Sequence, residues 1–211
     1  MKKNLEVTLM DLIRLKDVKR WQIVRVDREQ NVAEHSYLVT MIALKLLVQI
    51  EESKPEVIID LENVAGLNAK HMIMECALWH DVPEVFTGDI NTPTKLYLKN
   101  IPEVGAALKD LESTAGPEYQ QSMYAAYPLV GHIVKLADFM EACAYLNEHG
   151  RGTYSLQQLF QLKCRMYEYA EAVGLRDETE KVYISALYGH TTTFERVDAL
   201  LGTEMGVKKD G

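Results

Sequence analysis

An all-α fold of roughly eight to ten helices, in a single domain spanning residues 1–211, is what this sequence predicts, and three observations predict it. Apolar residues recur at steps of three and four in one window after another. Gly and Pro are few and fall between those windows, where helices stop and start. Aromatic residues make up only 8% of the chain, which with the scarce Gly and Pro disfavours both disorder and an all-β architecture. A chain of 211 residues, 47% hydrophobic and 26% charged, suits one globular domain with one substantial core.

The elements follow in order. Thr8 to Val18 carries Leu9, Leu12, Ile13, Leu15 and Val18 at helical spacing, with Thr8 as N-cap. Lys19 to Arg25 reads as a connection that bears Arg20 and Trp21. Asn31 caps a long second helix, with Glu34 at the capping-box position, and its stripe is Val32, His35, Val39, Ile42, Leu46 and Ile50. Glu51 to Pro55 reads as a linker, and Leu61 to Gly66 gives no firm assignment. Asn68 to Val82 forms the next helix, with Ile73, Ala77 and His80 on one face. Thr92-Pro93 and Ile101-Pro102 mark two further starts. Gly116-Pro117 and Ala126-Tyr127-Pro128 are breaks. Pro128 opens a long helix that runs to His149 and ends at Gly150-Arg151-Gly152. Two more segments, about 155–173 and 177–201, stop at Gly174 and Gly202, and the tail 206–211 reads as frayed. The metal-site core described below falls within about 8–150, and the C-terminal helices within about 155–202.

The net charge of −8 repels a polyanion, so no nucleic-acid polymer is expected as partner. A small anion remains possible where cations cluster. Cys76, Cys143 and Cys164 are odd in number and lack a C-x-x-C pairing, so they read as reduced core residues of a cytoplasmic protein. No apolar h-region follows Met1-Lys2-Lys3, and no run approaches the roughly 18 apolar residues of a membrane span.

Chemistry concentrates between Ala77 and Lys95. The run Cys76-Ala77-Leu78-Trp79 leads into His80-Asp81, so a charged pair stands where a core-facing segment ends. Pro83 suits the start of a new turn that carries Glu84, and Gly88 lets the backbone bend before Asp89. A buried carboxylate beside a histidine is unfavourable unless it is paired or holds a cation. Asp138 sits in the otherwise apolar Lys135-to-Cys143 helix and needs a partner for the same reason. His35, His80, Asp81 and Asp138, from three helices, form a two-nitrogen, two-oxygen set suited to Mn, Co, Fe, Ni or Zn. The competing reading is a set of unrelated ion pairs and caps. His71, His132, His149 and His190 read as ordinary. His71 lies opposite His80, and His132 is about 240° around the helix from Asp138.

The order His35 … His80-Asp81 … Asp138 resembles the HD-domain metal phosphohydrolases, which implies a compact HD-domain helical fold. More narrowly, Arg20-Trp21, Val32-Ala-Glu-His-Ser36, His80-Asp-Val-Pro-Glu-Val-Phe-Thr-Gly-Asp89, Thr92-Pro-Thr-Lys95 and Lys135-Leu-Ala-Asp138 resemble the bacterial HD-domain 5′-deoxyribonucleotidases. The resemblance covers about residues 8–150. It implies a homodimer or higher homo-oligomer with one divalent metal per subunit, acting on a 2′-deoxynucleotide. Gln22-Ile23 and Asn91 depart from the bacterial pattern. The Arg-Trp-Gln-Ile stretch is also similar to phage enzymes that strip triphosphate from dATP, which leaves the phosphate count and base preference open.

On this reading the metal acidifies water and polarises a phosphate oxygen. Arg20 clamps the phosphate with its planar fork, and Lys95 and Lys135 add point charge. Glu84 and Asp89 share the general acid/base and orienting roles. Trp21 walls the sugar and excludes a 2′-hydroxyl, Ile23 borders the base, and Thr92 joins the substrate side with Lys95. The rivals are a dNTP triphosphohydrolase and a non-catalytic helical module with a structural metal.

Overall fold

The computed structural model describes residues 6–114 and 123–188, and among them it holds helices and no strand. Helix α1 (Leu9–Arg14) opens on a complete capping box: Thr8 Oγ1 accepts the Asp11 N–H, and the Asp11 carboxylate accepts the Thr8 N–H at 3.0 Å. None of its residues is buried. Leu9, Met10 and Ile13 stand exposed, and only Leu15, in the following 3-10 turn Leu15–Asp17, enters the core.

Residues 18–31 form a strap without regular structure, pinned at both ends. Lys19 bridges Asn31, and Val26 bridges Gly150. The Arg20 N–H donates to the Gln30 carbonyl at 2.9 Å, and the Arg151 N–H donates to the Arg25 carbonyl at 2.9 Å.

Helix α2 (Val32–Ser53) begins where Asn31 Oδ1 accepts the Glu34 N–H at 2.9 Å. The reciprocal bond expected of Glu34 is absent, because its carboxylate pairs with Arg28 instead. The expected linker at Glu51 to Pro55 is also corrected. Only Lys54 interrupts the helix, and α3 (Pro55–Ala65) follows at once, burying Ile58 and Leu61. Pro55 is its first residue, where a missing N–H does no harm. Gly66, at φ 64°, ends it.

Helix α4 (Ala69–Trp79), capped by Asn68, stops three residues earlier than expected. Turn bonds such as Val82 N–H to the Trp79 carbonyl replace the helical ladder across His80–Pro83. The short α5 (Glu84–Thr87) ends at Gly88, whose φ of 70° makes the anticipated bend. Then come α6 (Thr92–Lys99), α7 (Pro102–Thr114), α8 (Pro128–His149), α9 (Thr153–Ala172) and α10 (Arg176–Tyr188). The predicted features at Gly116-Pro117, His190, Gly202 and the tail lie outside the described residues, as does the last segment beyond 188.

The centre is α2 packed on α4 and α8, with α9 against α8 and α10 laid on α2. Leu46, Ile50, Met72, Ile73, Ile133, Leu136 and Met140 are fully buried between them. Each such side chain contributes about 1.5–3 kcal/mol. Cys76 and Cys143 are buried and Cys164 is partly so, and none of the three is in a disulfide. Among the described residues no helix is long and apolar enough to cross a membrane.

Candidate metal centre and substrate cleft

Side chains of metal-ligating type from three segments of the core gather around His35. His35, on the second turn of α2, is fully buried. His80 and Asp81 sit where α4 gives way to its terminal turn, and Asp138 is central on α8. His35 Nε2 is the hub, at 3.3 Å from His80 Nε2, 3.3 Å from Asp81 Oδ2 and 3.4 Å from Asp138 Oδ1. His80 Nε2 is 3.3 Å from Asp81 Oδ2. The ligand atoms of His35, His80 and Asp81 all lie within 4.8 Å of one another. Asp138 joins through His35, while its other oxygen accepts from Lys135 Nζ at 2.7 Å.

This donor set fits a cation. His80 Nδ1–H donates to the Ala77 carbonyl at 2.7 Å, and His35 Nδ1–H donates to Glu141 Oε2 at 2.5 Å. Both rings are therefore held with Nε2 facing the carboxylates, the arrangement in which imidazole ligates a metal. Burial and the Arg20 charge oppose protonation of His35, yet hydrogen bonds to Asp138, Asp81 and Glu141 overcome them and lift its pKa to about 10. Burial would raise the pKa of Asp81 and Asp138, but His80 and His35 hold Asp81 well below the carboxylate range. Lys135 and His35 do the same for Asp138. The site is built for concentrated positive charge among fixed anions.

Arg20 reaches in from the strap, its Nη1 3.5 Å from Asp81 Oδ2. Burial works against its charge, but Asp81, Asp138, Glu141 and Asp89 more than compensate. Its Nε and Nη1 are buried without a hydrogen-bond acceptor. Glu84 stands behind them with Oε2 likewise unpaired. Burial, then Asp81 and Asp89, push its pKa up to about 9. Burial also raises Asp89, against the pull of Arg20 and of the Trp21 backbone N–H that donates to it.

Trp21 takes φ 63°, rare for a non-glycine residue. Its indole N–H donates to Gln30 Oε1 at 2.8 Å, and its ring stacks on Tyr145 at 5.7 Å and 2°. Ile23 is 48% exposed on the same strap. Thr92, exposed, and Lys95, partly buried, occupy the first turn of α6 just after Asp89.

Along α8, on the opposite side of Asp138 from Tyr145, a cavity of about 410 Å³ opens from the cluster, lined by His80, Asp81, Lys135 and Asp138 together with Tyr124, His132 and Tyr169. His132 lines this cavity with Asp138 but does not join the His35, His80 and Asp81 group. Its Nδ1 bonds the Tyr169 hydroxyl at 2.7 Å. His71 is exposed beside Glu75, and His149 pairs with Asp27, both away from the centre.

Two buried residues were not anticipated. Gln30 and Glu141 are 1% and 2% exposed, and Gln30 Nε2 donates to Glu141 Oε1 at 2.5 Å. Glu141 stands three residues after Asp138 in an apolar helix, the same signal that singled out Asp138. Gln30 ends a run of polar residues and gave no signal.

The profile of a family described as 5′-deoxynucleotidase YfbR-like matches residues 9–152. The dATP triphosphohydrolase of Salmonella phage PMBT28 is 42% identical over 92% of this chain and 96% of its own. The 5′-deoxynucleotidase YfbR of Salmonella arizonae is 34% identical over 64% of this chain and 67% of its own. Among solved structures, the cyanophage S-2L HD phosphohydrolase DatZ, bound to dA and one catalytic Zn2+ ion, superposes with a TM-score of 0.66. At 24% identity it covers 86% of this chain and 97% of its own, and it shows a shared fold.

Proposed function

Because this chain belongs to the YfbR-like 5′-deoxynucleotidase family, we propose that it hydrolyses the bond between the 5′-oxygen and the α-phosphorus of a 2′-deoxynucleotide. A divalent transition metal, one per subunit, would be held by His35, His80, Asp81 and Asp138. When bound there, it would acidify water and polarise a phosphate oxygen. The observation that carries the reading is the meeting of those four side chains beside Arg20, whose buried Nε and Nη1 donors lack acceptors. A structural metal needs no such donors, which weighs against a non-catalytic module.

The chain's own groups divide the work. Arg20 receives phosphate oxygens in its fork, and Lys135 and Lys95 add positive charge around them. Glu84, protonated near neutrality, delivers its proton to the departing 5′-oxygen, a step worth about 10²–10⁴-fold. Asp89, tied to the strap through the Trp21 N–H, orients the strap against the reacting phosphate. Trp21 walls the deoxyribose and leaves no room for a 2′-hydroxyl. Ile23 and Thr92 border the nucleoside.

The relative that matches along 92% of the chain is named a dATP triphosphohydrolase, which supports dATP as substrate. The cavity beyond the cluster adds room for further phosphates. The monophosphate reading is supported by the family description and by the bacterial relative. The same bond breaks in both. Protein reconstituted with Mn, Co, Zn, Ni or Fe is assayed on dATP and dAMP with product analysis. Tripolyphosphate from dATP establishes the first reading, and phosphate from dAMP alone establishes the second. No deoxynucleotide hydrolysis with any metal overturns both. The homo-oligomer is part of this reading, supported by the exposed Leu9, Met10 and Ile13 of α1, and light scattering tests it.

A further inference from the structure

Trp21 and His35 belong to different segments and do different work, yet one buried hydrogen-bond chain joins them. The indole N–H of Trp21 donates to Gln30 Oε1 at 2.8 Å. Gln30 Nε2 donates to Glu141 Oε1 at 2.5 Å. Glu141 Oε2 takes the Nδ1–H of His35 at 2.5 Å, and His35 presents Nε2 to the cluster. The three inner members are almost wholly sealed, at 1%, 2% and 0% exposure. No solvent can substitute for a lost partner.

The polarity of the chain is forced from one point. A carboxylate only accepts, so the Glu141 carboxylate requires donors from both neighbours. It makes Gln30 turn its amide NH2 inward, which leaves the amide oxygen for Trp21, the only arrangement that an indole donor tolerates. It makes His35 carry its proton on Nδ1, which frees Nε2 for a cation. One buried carboxylate thereby sets both a metal-facing nitrogen and the seat of the tryptophan.

We propose that Glu141 and Gln30 are positioning residues that couple discrimination against the 2′-hydroxyl to metal affinity, through the chain Trp21–Gln30–Glu141–His35. This rests on the reading that Trp21 faces the sugar and His35 the metal. The seating matters because Trp21 holds a backbone conformation that bulky residues avoid. Its indole needs an outside anchor, and Gln30 and the Tyr145 ring are the anchors in place.

The test uses hydrogen-bond polarity. In Glu141→Gln the new amide faces the Gln30 amide and His35 Nδ1. It cannot accept from both: one amide orientation leaves Trp21 facing an NH2 and the other denies His35 its acceptor, so a mixture of the two weakens both ends. In Gln30→Glu two carboxylates meet at the old donor–acceptor contact. In the double swap, Gln30→Glu with Glu141→Gln, the residue at 30 accepts from Trp21 and from the amide at 141, whose oxygen accepts from His35. Every bond is restored with the charge moved along one place.

Two quantities are read on the purified full-length chain: Zn2+ affinity by chelator competition, and the ratio of kcat/KM for dATP over ATP, with dAMP over AMP as the second pair. The expected result for Glu141→Gln is a loss of Zn2+ affinity of about 10–100-fold, the usual size when a group that orients a ligating histidine is changed. At saturating metal it also shows a several-fold fall in the deoxy-to-ribo ratio, although Glu141 does not touch Trp21. The double swap recovers both. Gln30→Met, which removes the Trp21 acceptor and keeps the volume, lowers the ratio if Glu141→Gln does not fold. An unchanged ratio in both Glu141→Gln and Gln30→Met overturns the coupling, as does a double swap no better than the single changes. Trp21→Ala separates the two layers. If it leaves the ratio unchanged, the sugar reading has failed. If it narrows the ratio while neither Glu141→Gln nor Gln30→Met does, only the coupling has failed.

Discussion

Glu84, with Asp89 one of the two general acid/base candidates in the sequence, is enclosed beside Asp81 and Asp89, and burial with those charges carries it to about 9. On the proposed mechanism its hydrogen, rather than its charge, is the useful property near neutrality. Glu84→Gln keeps the shape and loses the proton. The expected outcome is a fall in kcat of about 10²–10⁴-fold with metal content unchanged, checked by mass spectrometry beside the assay. Loss of metal along with activity would place Glu84 among the groups that hold the ion. His35, His80, Asp81 and Asp138 drew notice in the sequence as polar groups beside apolar stretches; the structure sets the first three within 4.8 Å of one another and Asp138 against His35. Gln30 drew none, because its burial is created by the strap folding back on α8, a contact that no local pattern encodes.

Elements join at two hydrogen-bonded corners. At the first, Gly150 accepts the strap: a Cβ there would collide with Ser155 Oγ and with the Leu146 carbonyl, which is helical backbone and cannot yield. Gly150→Ala is therefore expected to lose about 1–3 kcal/mol, read as a shift in urea midpoint. It should also loosen the strap where Val26 pairs with it. At the second corner, Ser53 Oγ donates to Glu178 Oε1 at 2.7 Å, and Lys54 Nζ lies 3.0 Å from the same oxygen. Burial would raise Glu178, but Ser53, the backbone and Lys54 together bring it below 4.5. A carboxylate lowered by folding adds stability that is complete above its unfolded pKa and disappears as pH falls through the folded one. Glu178→Gln should thus be less stable than the parent by roughly 1–3 kcal/mol at pH 7. The gap should close below about pH 4.5, and denaturant titrations across pH 3–7 check it. The helix that starts at Pro55 escaped the sequence reading because Ser53-Lys54-Pro55 has linker composition. Proline at a first helical position is indistinguishable from proline in a turn until Ile58 and Leu61 are seen buried.

For the whole molecule, the cluster draws on α2, α4 and α8, the helices that also make the core. An ion held there stabilises only the folded chain. At a hundredfold excess over its dissociation constant it should add about 2.7 kcal/mol, and chelation should lower Tm by roughly 5–10 °C for a domain of this size. Calorimetry with and without chelator measures it, and an unmoved Tm would remove the cation from the centre. The all-helical fold class was legible because, among the described residues, stop signals and helical periods agreed everywhere but at Pro55–Ala65. The width of the cavity between α8 and α9 was not, being a property of two surfaces that only packing sets facing each other.

Trp21 sits at φ 63°, where glycine is at ease and an indole is not. Trp21→Gly would relieve about 1 kcal/mol of backbone tension. It would also empty the place of the ring against Tyr145 and strip buried Gln30 of its indole donor, and truncating a packed tryptophan costs up to about 3–5 kcal/mol. The awkward backbone is thus held in place by the very ring it carries, and the glycine variant should melt below the parent.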